Sequence, residues 1–311
     1  MQTDRKNRFI GLILIISSSV LWGISGPAMQ WLFLHETVDL TALLAVRLFW
    51  SGMFMLLFLA ARKENIWAVL KHWKSVLLFG ILGILGLQYT FISAIEAGNA
   101  VTATLFQFLA PIFITVYIAL KVKQAPAKVE VLAILIGLAG IYFVITNGSW
   151  NTLSFSAAAV FWGIATALAF SFYSLYPPAR LKGLKSSVVS GWGMLVSGFL
   201  LFIVHPSWKN YEEILNWDSF SLALVVFLTL FGTCIPFFLF MESLKFLSPT
   251  EVSILSSVEP LMAVIVSVTW LLEPFGLYQI VGSVLIIITA VLLSTPKKEP
   301  ASSGVSPGKA G

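Results

Sequence analysis

Little of this sequence is charged. Asp, Glu, Lys and Arg make up 11% of its 311 residues, against roughly a quarter in soluble domains, and that scarcity excludes water as the main solvent of the fold. Cysteine is nearly absent: Cys234 alone leaves no partner for an intrachain disulfide or a thiolate metal cluster, and its apolar neighbourhood points to inert packing. The three histidines, His35, His72 and His205, lie far apart near the ends of apolar runs, so no metal-ligand set is expected. No Walker-type loop, Asp-rich motif, His-Glu motif or nucleophile motif is legible, which argues against an ATP-driven pump and against cofactor chemistry. The formal charge of +5 is scattered through short connectors without the aromatic-interleaved basic surface that nucleic acid needs.

What the chain has instead is apolar length. Hydrophobic residues make up 58% and the mean hydropathy is +0.93. Apolar runs near Phe9–Leu34, Leu40–Ala61, Ser75–Ile95, Ala100–Leu120, Val129–Thr146, Phe155–Tyr176, Val188–Val204, Phe220–Leu244, Val252–Leu272 and Leu277–Ser294 approach the ~20 residues that cross a hydrocarbon core. They predict an all-α integral membrane protein of ten transmembrane helices. The first run follows Arg5, Lys6 and Arg8 as a signal peptide would, but it continues past a typical h-region and is read as retained. Of the 19 lysines and arginines, all but Arg47 and Lys209 fall on the side of the N-terminus, which the positive-inside rule makes cytoplasmic. The outer connectors carry Glu36, Asp39, Glu212, Glu213 and Asp218. Ten spans return the C-terminus to the cytoplasm. The expected organisation is a cytoplasmic N-terminus at 1–8, one five-helix unit at 9–146, a second at 155–294, and a cytoplasmic tail at 295–311 whose Ser, Gly, Pro and Lys predict disorder.

The two units echo each other. Ser19-Val20-Leu21-Trp22-Gly23-Ile24 matches Ala159-Val160-Phe161-Trp162-Gly163-Ile164, and Thr104-Leu105-Phe106-Gln107-Phe108-Leu109-Ala110-Pro111 matches Ser253-Ile254-Leu255-Ser256-Ser257-Val258-Glu259-Pro260. A final helix with Gly137 and Gly140, or Gly282, closes each unit. Five is odd, so the repeats are inverted, as in many secondary transporters with a mid-membrane site at the repeat interface; the plainer alternative is duplication that only builds a stable bundle. These motifs resemble the EamA branch of the drug/metabolite transporter superfamily over Phe9 to Ser294. The resemblance implies ten helices, both termini cytoplasmic, and a central cavity lined by the first, third and fourth helices of each half. Family members move amino acids, nucleobase-like compounds and other metabolites.

Pro111 and Pro260 fall inside equivalent spans, where each removes an amide donor and clashes with the carbonyl four residues back, those of Gln107 and Ser256. Paired breaks point to a binding site, although neighbouring hydroxyls can also satisfy such kinks. Glu259 is an acid deep in a span, at a depth where a comparable carboxylate costs about 2.5–3.5 kcal/mol on insertion scales. It reads either as a structural cap for the half-helix that Pro260 starts or as a group that couples transport to the proton gradient; its counterpart is Ala110. Arg47, about seven residues or roughly 10 Å into the second span, reads as snorkelling to the outer interface, with pairing to an acid or an anionic solute as the alternative.

Helical spacing puts Ser18, Trp22, Ser25, Gly26 and Met29 on one face, and Trp162, Thr166, Ala169 and Tyr173 on another. With Gln88, Tyr89, Thr104, Gln107 and Ser256 these stripes suit a cavity wall, though small and aromatic residues also suit helix packing. Aromatics, amides and hydroxyls with one acid favour a small organic solute. The expected function is alternating-access transport of an amino acid-like or related metabolite across a bacterial inner membrane, export favoured, with proton coupling through Glu259 left open. A membrane-embedded enzyme or a channel built on the same bundle remains the alternative. The expected partners are a small-molecule substrate, the lipid bilayer and a second copy in a homodimer, with no cofactor, metal or nucleic acid.

Overall fold

Long apolar runs without water to serve their amides can only coil on themselves, and in the computed structural model helices joined by short turns make up the described residues, 2–148, 156–181, 183–204, 216–247, 252, 255–256 and 258–294. The tail at 295–311, the loop residues His205, Lys209, Glu212 and Glu213, and Ser253, Ile254 and Ser257 of the second motif lie outside them. The first repeat runs α1 (Gln2–His35), α2 (Leu40–Ala61), α3 (Trp73–Leu78), α4 (Gly86–Ala97), α5 (Ala100–Gln107), α6 (Ala110–Val122) and α7 (Lys128–Thr146). The second runs α8 (Ala157–Arg180), α9 (Ser186–Val204), α10 (Ser219–Thr229), α11 (Ile235–Ser243), α12 (Val258–Thr269) and α13 (Leu277–Ser294). Among the described residues, seven helices are long and apolar enough to cross a membrane: Asn7–His35, Leu40–Ala61, Ile66–Ala97, Ala100–Val122, Ala157–Tyr176, Ser186–Val204 and Ser219–Ser243. Val258–Thr269 and Leu277–Thr289 are shorter apolar helices.

Polar residues mark where helices start. Asp39 accepts from the amides of Thr41 and Ala42 at 2.9 and 3.0 Å, Asn99 from Thr102 at 2.8 Å, and Asp218 from Ser221 at 2.6 Å. Each satisfies amides that the first turn leaves free, and the bonds at Asp218 hold its carboxyl below the usual range. In the loops, Glu64 pairs with Lys185, which lowers the Glu64 carboxyl likewise.

Two helices contain a widened π turn at matching places: Phe79–Leu85 between α3 and α4, and Leu230–Cys234 between α10 and α11. The second precedes Pro236, whose missing amide disrupts regular α pairing. Serines of the opposite repeat bond to both regions. Ser197 Oγ of α9 donates to the Gly80 carbonyl at 2.7 Å, and Ser51 Oγ of α2 to the Thr229 carbonyl at 2.8 Å. Each serine is followed by a glycine, Gly52 or Gly198, where α2 and α9 cross. A Cβ at Gly52 would lie 2.3 Å from Leu195 N, and one at Gly198 2.3 Å from Phe49 N. The glycines of α7 and α13 serve packing within the chain: a Cβ at Gly140 would stand 2.9 Å from the Gly282 carbonyl, and one at Gly282 2.6 Å from the Gly140 carbonyl.

Because the α2–α9 crossing meets backbone, Gly198→Val cannot be absorbed by a side-chain shift. It should destabilise the detergent-solubilised protein by at least about 1–3 kcal/mol, the usual cost of overpacking, seen as a lower unfolding temperature. An unchanged melting curve would show that the helices cross elsewhere.

Candidate functional site

Inside the bundle the fourth span of the first repeat divides ahead of Pro111. α5 ends at Gln107, and α6 restarts at Ala110 with Pro111 in its first turn. The Leu109 amide donates back only three residues, to the Phe106 carbonyl at 3.0 Å. Ser171 Oγ of the other repeat donates to the Ala110 carbonyl at 3.2 Å. In the second repeat Ser256 lies in a turn and α12 begins at Val258. The Ser256 carbonyl, which Pro260 cannot serve, accepts instead from the Glu259 amide at 2.9 Å. Glu259 therefore stands in the first turn of α12 rather than at its cap position, where the helix dipole favours negative charge.

The Trp-Gly pairs sit against these breaks, each in the opposite repeat. A Cβ at Gly23 would come within 2.6 Å of the Glu259 carbonyl, and one at Gly163 within 2.6 Å of the Phe106 ring. Only glycine allows the two helices to approach so closely.

Between the repeats lies one cavity, lined by Trp22, Ser25 and Met29 of α1, Leu87, Gln88, Phe91, Ile92 and Ile95 of α4, and Gln107 of α5, and on the other side by Phe170 and Tyr173 of α8, Gly232 of the second π turn, Phe237 and Phe240 of α11, and Glu259 of α12. Arg47 is the lining residue from α2. The cavity volume is about 50 Å³, room for a few waters. Trp22 packs edge-on against Phe237 at 5.0 Å between ring centroids, and Tyr173 against Phe237 at 6.0 Å, so the aromatic wall joins both repeats. Gln88 presents a buried amide nitrogen without a partner.

Of the residues expected around a cavity, the structure brings Trp22, Ser25, Met29, Gln88, Gln107, Tyr173 and Glu259 together. The others lie elsewhere. Gly26 faces Ala100 and Thr104 across the α1–α5 contact. Thr104 and Thr166 are buried and donate to their own helices at Ala100 and Trp162. Tyr89 is 37% exposed on the outer face and meets Trp162 edge-on at 5.8 Å. Ser256 donates to the Val252 carbonyl, and Pro111 and Pro260 shape the breaks without lining the cavity.

Arg47 corrects the snorkelling expectation. It is 4% exposed, and its Nη2 donates to Thr233 Oγ1 at 2.8 Å. The π turn brings Thr233 and Gly232 to this depth. Their signal in the sequence was Gly232-Thr233 shortly before Pro236, and in the first repeat the spacing Gly80, Gly83, Gly86. Glu259 is 6% exposed. Glu273 accepts from Gln30 Nε2 at 2.5 Å, while Gln30 Oε1 accepts from the Ala100 amide at 2.8 Å. Burial pushes the Glu273 carboxyl above its ordinary range, with the Gln30 bond acting against that.

The EamA-like transporter family matches residues 9–146 and 157–295. The inner membrane transporter YicL of Salmonella typhimurium, described as uncharacterized, is 32% identical over 295 residues, covering 94% of this chain and 97% of its own. The uncharacterized transporter YojE of Bacillus subtilis is 26% identical, covering 86% and 87%. A solved crystal structure shares the fold with a TM-score of 0.61 at 21% identity, covering 93% of this chain and 97% of that one. With its apolar helices, the chain is a multi-pass membrane protein of a transporter family.

Thiol labelling checks the cavity in a Cys234→Ser background. A small hydrophilic maleimide should modify Gln88→Cys and Gln107→Cys at least about tenfold faster than Phe161→Cys, because a thiolate needs water and Phe161 is 62% exposed on the apolar outer surface. Equal rates would argue against a hydrated cavity at those positions.

Proposed function

Because the chain belongs to the EamA-like transporter family, we propose that it is a secondary transporter that exports a small organic metabolite, amino acid-like or related, across a bacterial inner membrane by alternating access. The working unit is ten transmembrane helices in two five-helix repeats of opposite orientation, with both termini cytoplasmic. One observation carries the reading: a cavity takes its walls from corresponding helices of the two repeats. Halves that share a site and rock against each other expose it to one side at a time. Each half also breaks its fourth span beside that cavity, as transporter sites do.

The wall chemistry selects the cargo class. Aromatic and aliphatic side chains dominate, with a few polar groups among them, which suits a small organic solute held by apolar contact and oriented by hydrogen bonds. Glu259 is the candidate proton carrier. As access alternates, its carboxyl takes a proton from one side and releases it to the other, linking solute movement to the proton gradient.

Reconstitution into proteoliposomes tests this. Uptake of a bound metabolite should saturate and accelerate when unlabelled solute is preloaded inside; linear, unsaturable flux would mark a channel. Glu259→Gln should abolish pH-gradient-driven transport while leaving counterflow and folding intact. Gradient coupling at the original rate in that variant would remove Glu259 from the proton path.

A further inference from the structure

Arg47 departs from the symmetry of the cavity. The other lining residues come from the first, third and fourth spans of the two repeats, whereas Arg47 reaches in from α2. Its counterpart is found by counting from the Ser-Gly crossings: Arg47 stands four residues before Ser51, and Gly193 four residues before Ser197. At Gly193 the position is filled by packing, since a Cβ there would lie 2.6 Å from Ile84 Cδ1 and 3.6 Å from Gly80 Cα. The α2–α9 architecture therefore has no need of a guanidinium at this position.

The charge is also incompletely answered. Arg47 is 4% exposed, its Nη2 bonds to Thr233 Oγ1, and its buried Nε has no partner. Among the described residues no carboxylate forms an ion pair with it. Gln88 Nε2, on the same cavity, is a second buried donor without an acceptor. A buried guanidinium ordinarily requires pairing, and orphaned buried donors are rare enough to need a cause. These two donors, on one space, suit an acceptor-only group.

We infer that Arg47 and Gln88 form the anchor for a carboxylate on the transported solute, an inference that rests on the transport reading above. A carboxylate offers two acceptor oxygens in a plane, which matches the guanidinium fork and leaves one oxygen to accept from an amide. A phosphate fits less well. The walls at Phe91, Ile92 and Phe237 are apolar, and Arg47 is the one cationic side chain among the described lining residues, so a second negative charge would go unmatched. The solute is thus a monocarboxylate whose apolar body lies against the aromatic wall.

The test is binding to purified full-length protein by thermal shift and intrinsic tryptophan fluorescence, with leucine, phenylalanine, phenylacetate and hexanoate each compared with its primary amide. Wild type should bind the acid of at least one pair about tenfold or more tightly than the amide, as loss of a charge-assisted bond predicts. Arg47→Gln should reduce that preference to about twofold or less. Arg47→Lys keeps the charge and the apolar stem, and should retain a weaker preference; Gln88→Leu should weaken acid binding alone. Both serve if Arg47→Gln does not fold. Wild type that binds no acid more tightly than its amide would overturn the anchor, as would a preference unchanged by Arg47→Lys and Gln88→Leu. Saturable counterflow of neutral solutes without acid preference would overturn the anchor and leave transport standing. Acid-selective binding without counterflow would do the reverse.

Discussion

Inside a bilayer an unpaired backbone carbonyl or amide has no water to turn to, and any departure from the α-helix must be answered by another part of the protein. This chain departs repeatedly, with π turns in α3–α4 and α10–α11 and breaks at the two prolines. The answers come crosswise. Ser18 and Ser51 of the first repeat bond to the carbonyls of Pro236 and Thr229 in the second, and Ser171 and Ser197 of the second bond to Ala110 and Gly80 in the first. Irregular backbone is concentrated where the repeats face each other, which is also where the cavity lies. The same need that binds the halves together sets polar groups around a space inside an apolar bundle.

The membrane class, the duplication and half of the candidate cavity were legible in the sequence because they follow from composition and local spacing. Trp22 and Ser25 lie on one face of α1, and Gln107 and Glu259 stand beside prolines that had to break their helices. Trp162, Thr166 and Tyr89 were misplaced for one physical reason. Periodicity says which residues share a face, but lipid and bundle interior are both apolar, so nothing in the pattern says which way the face turns. Tyr173 entered the cavity while Trp162, three turns earlier on α8, stayed outside. Arg47 was hidden because depth alone permits snorkelling; its direction depends on Thr233, 186 residues away.

Duplication supplied the frame, and divergence placed the charges. Gly193 stands where the first repeat has Arg47, and Ala110 where the second has Glu259. The first half places a guanidinium at the shared cavity and the second a carboxyl, each without a counterpart in the other half, although the scaffold is nearly symmetric. The Trp-Gly and Ser-Gly pairs, which serve close approach between helices, were retained in both halves.

The π turn at Phe79–Leu85 separates the rotational setting of α3 from that of α4. An α turn advances each residue by about 100°, so losing the one extra residue that the wide turn holds would swing everything after it through that angle. Gln88, Phe91 and Ile95 would leave the cavity together and other side chains of α4 would replace them. A single-residue deletion there would leave the length of the span almost unchanged and exchange the whole lining it contributes, which makes this short segment an indexing point for the wall of the cavity.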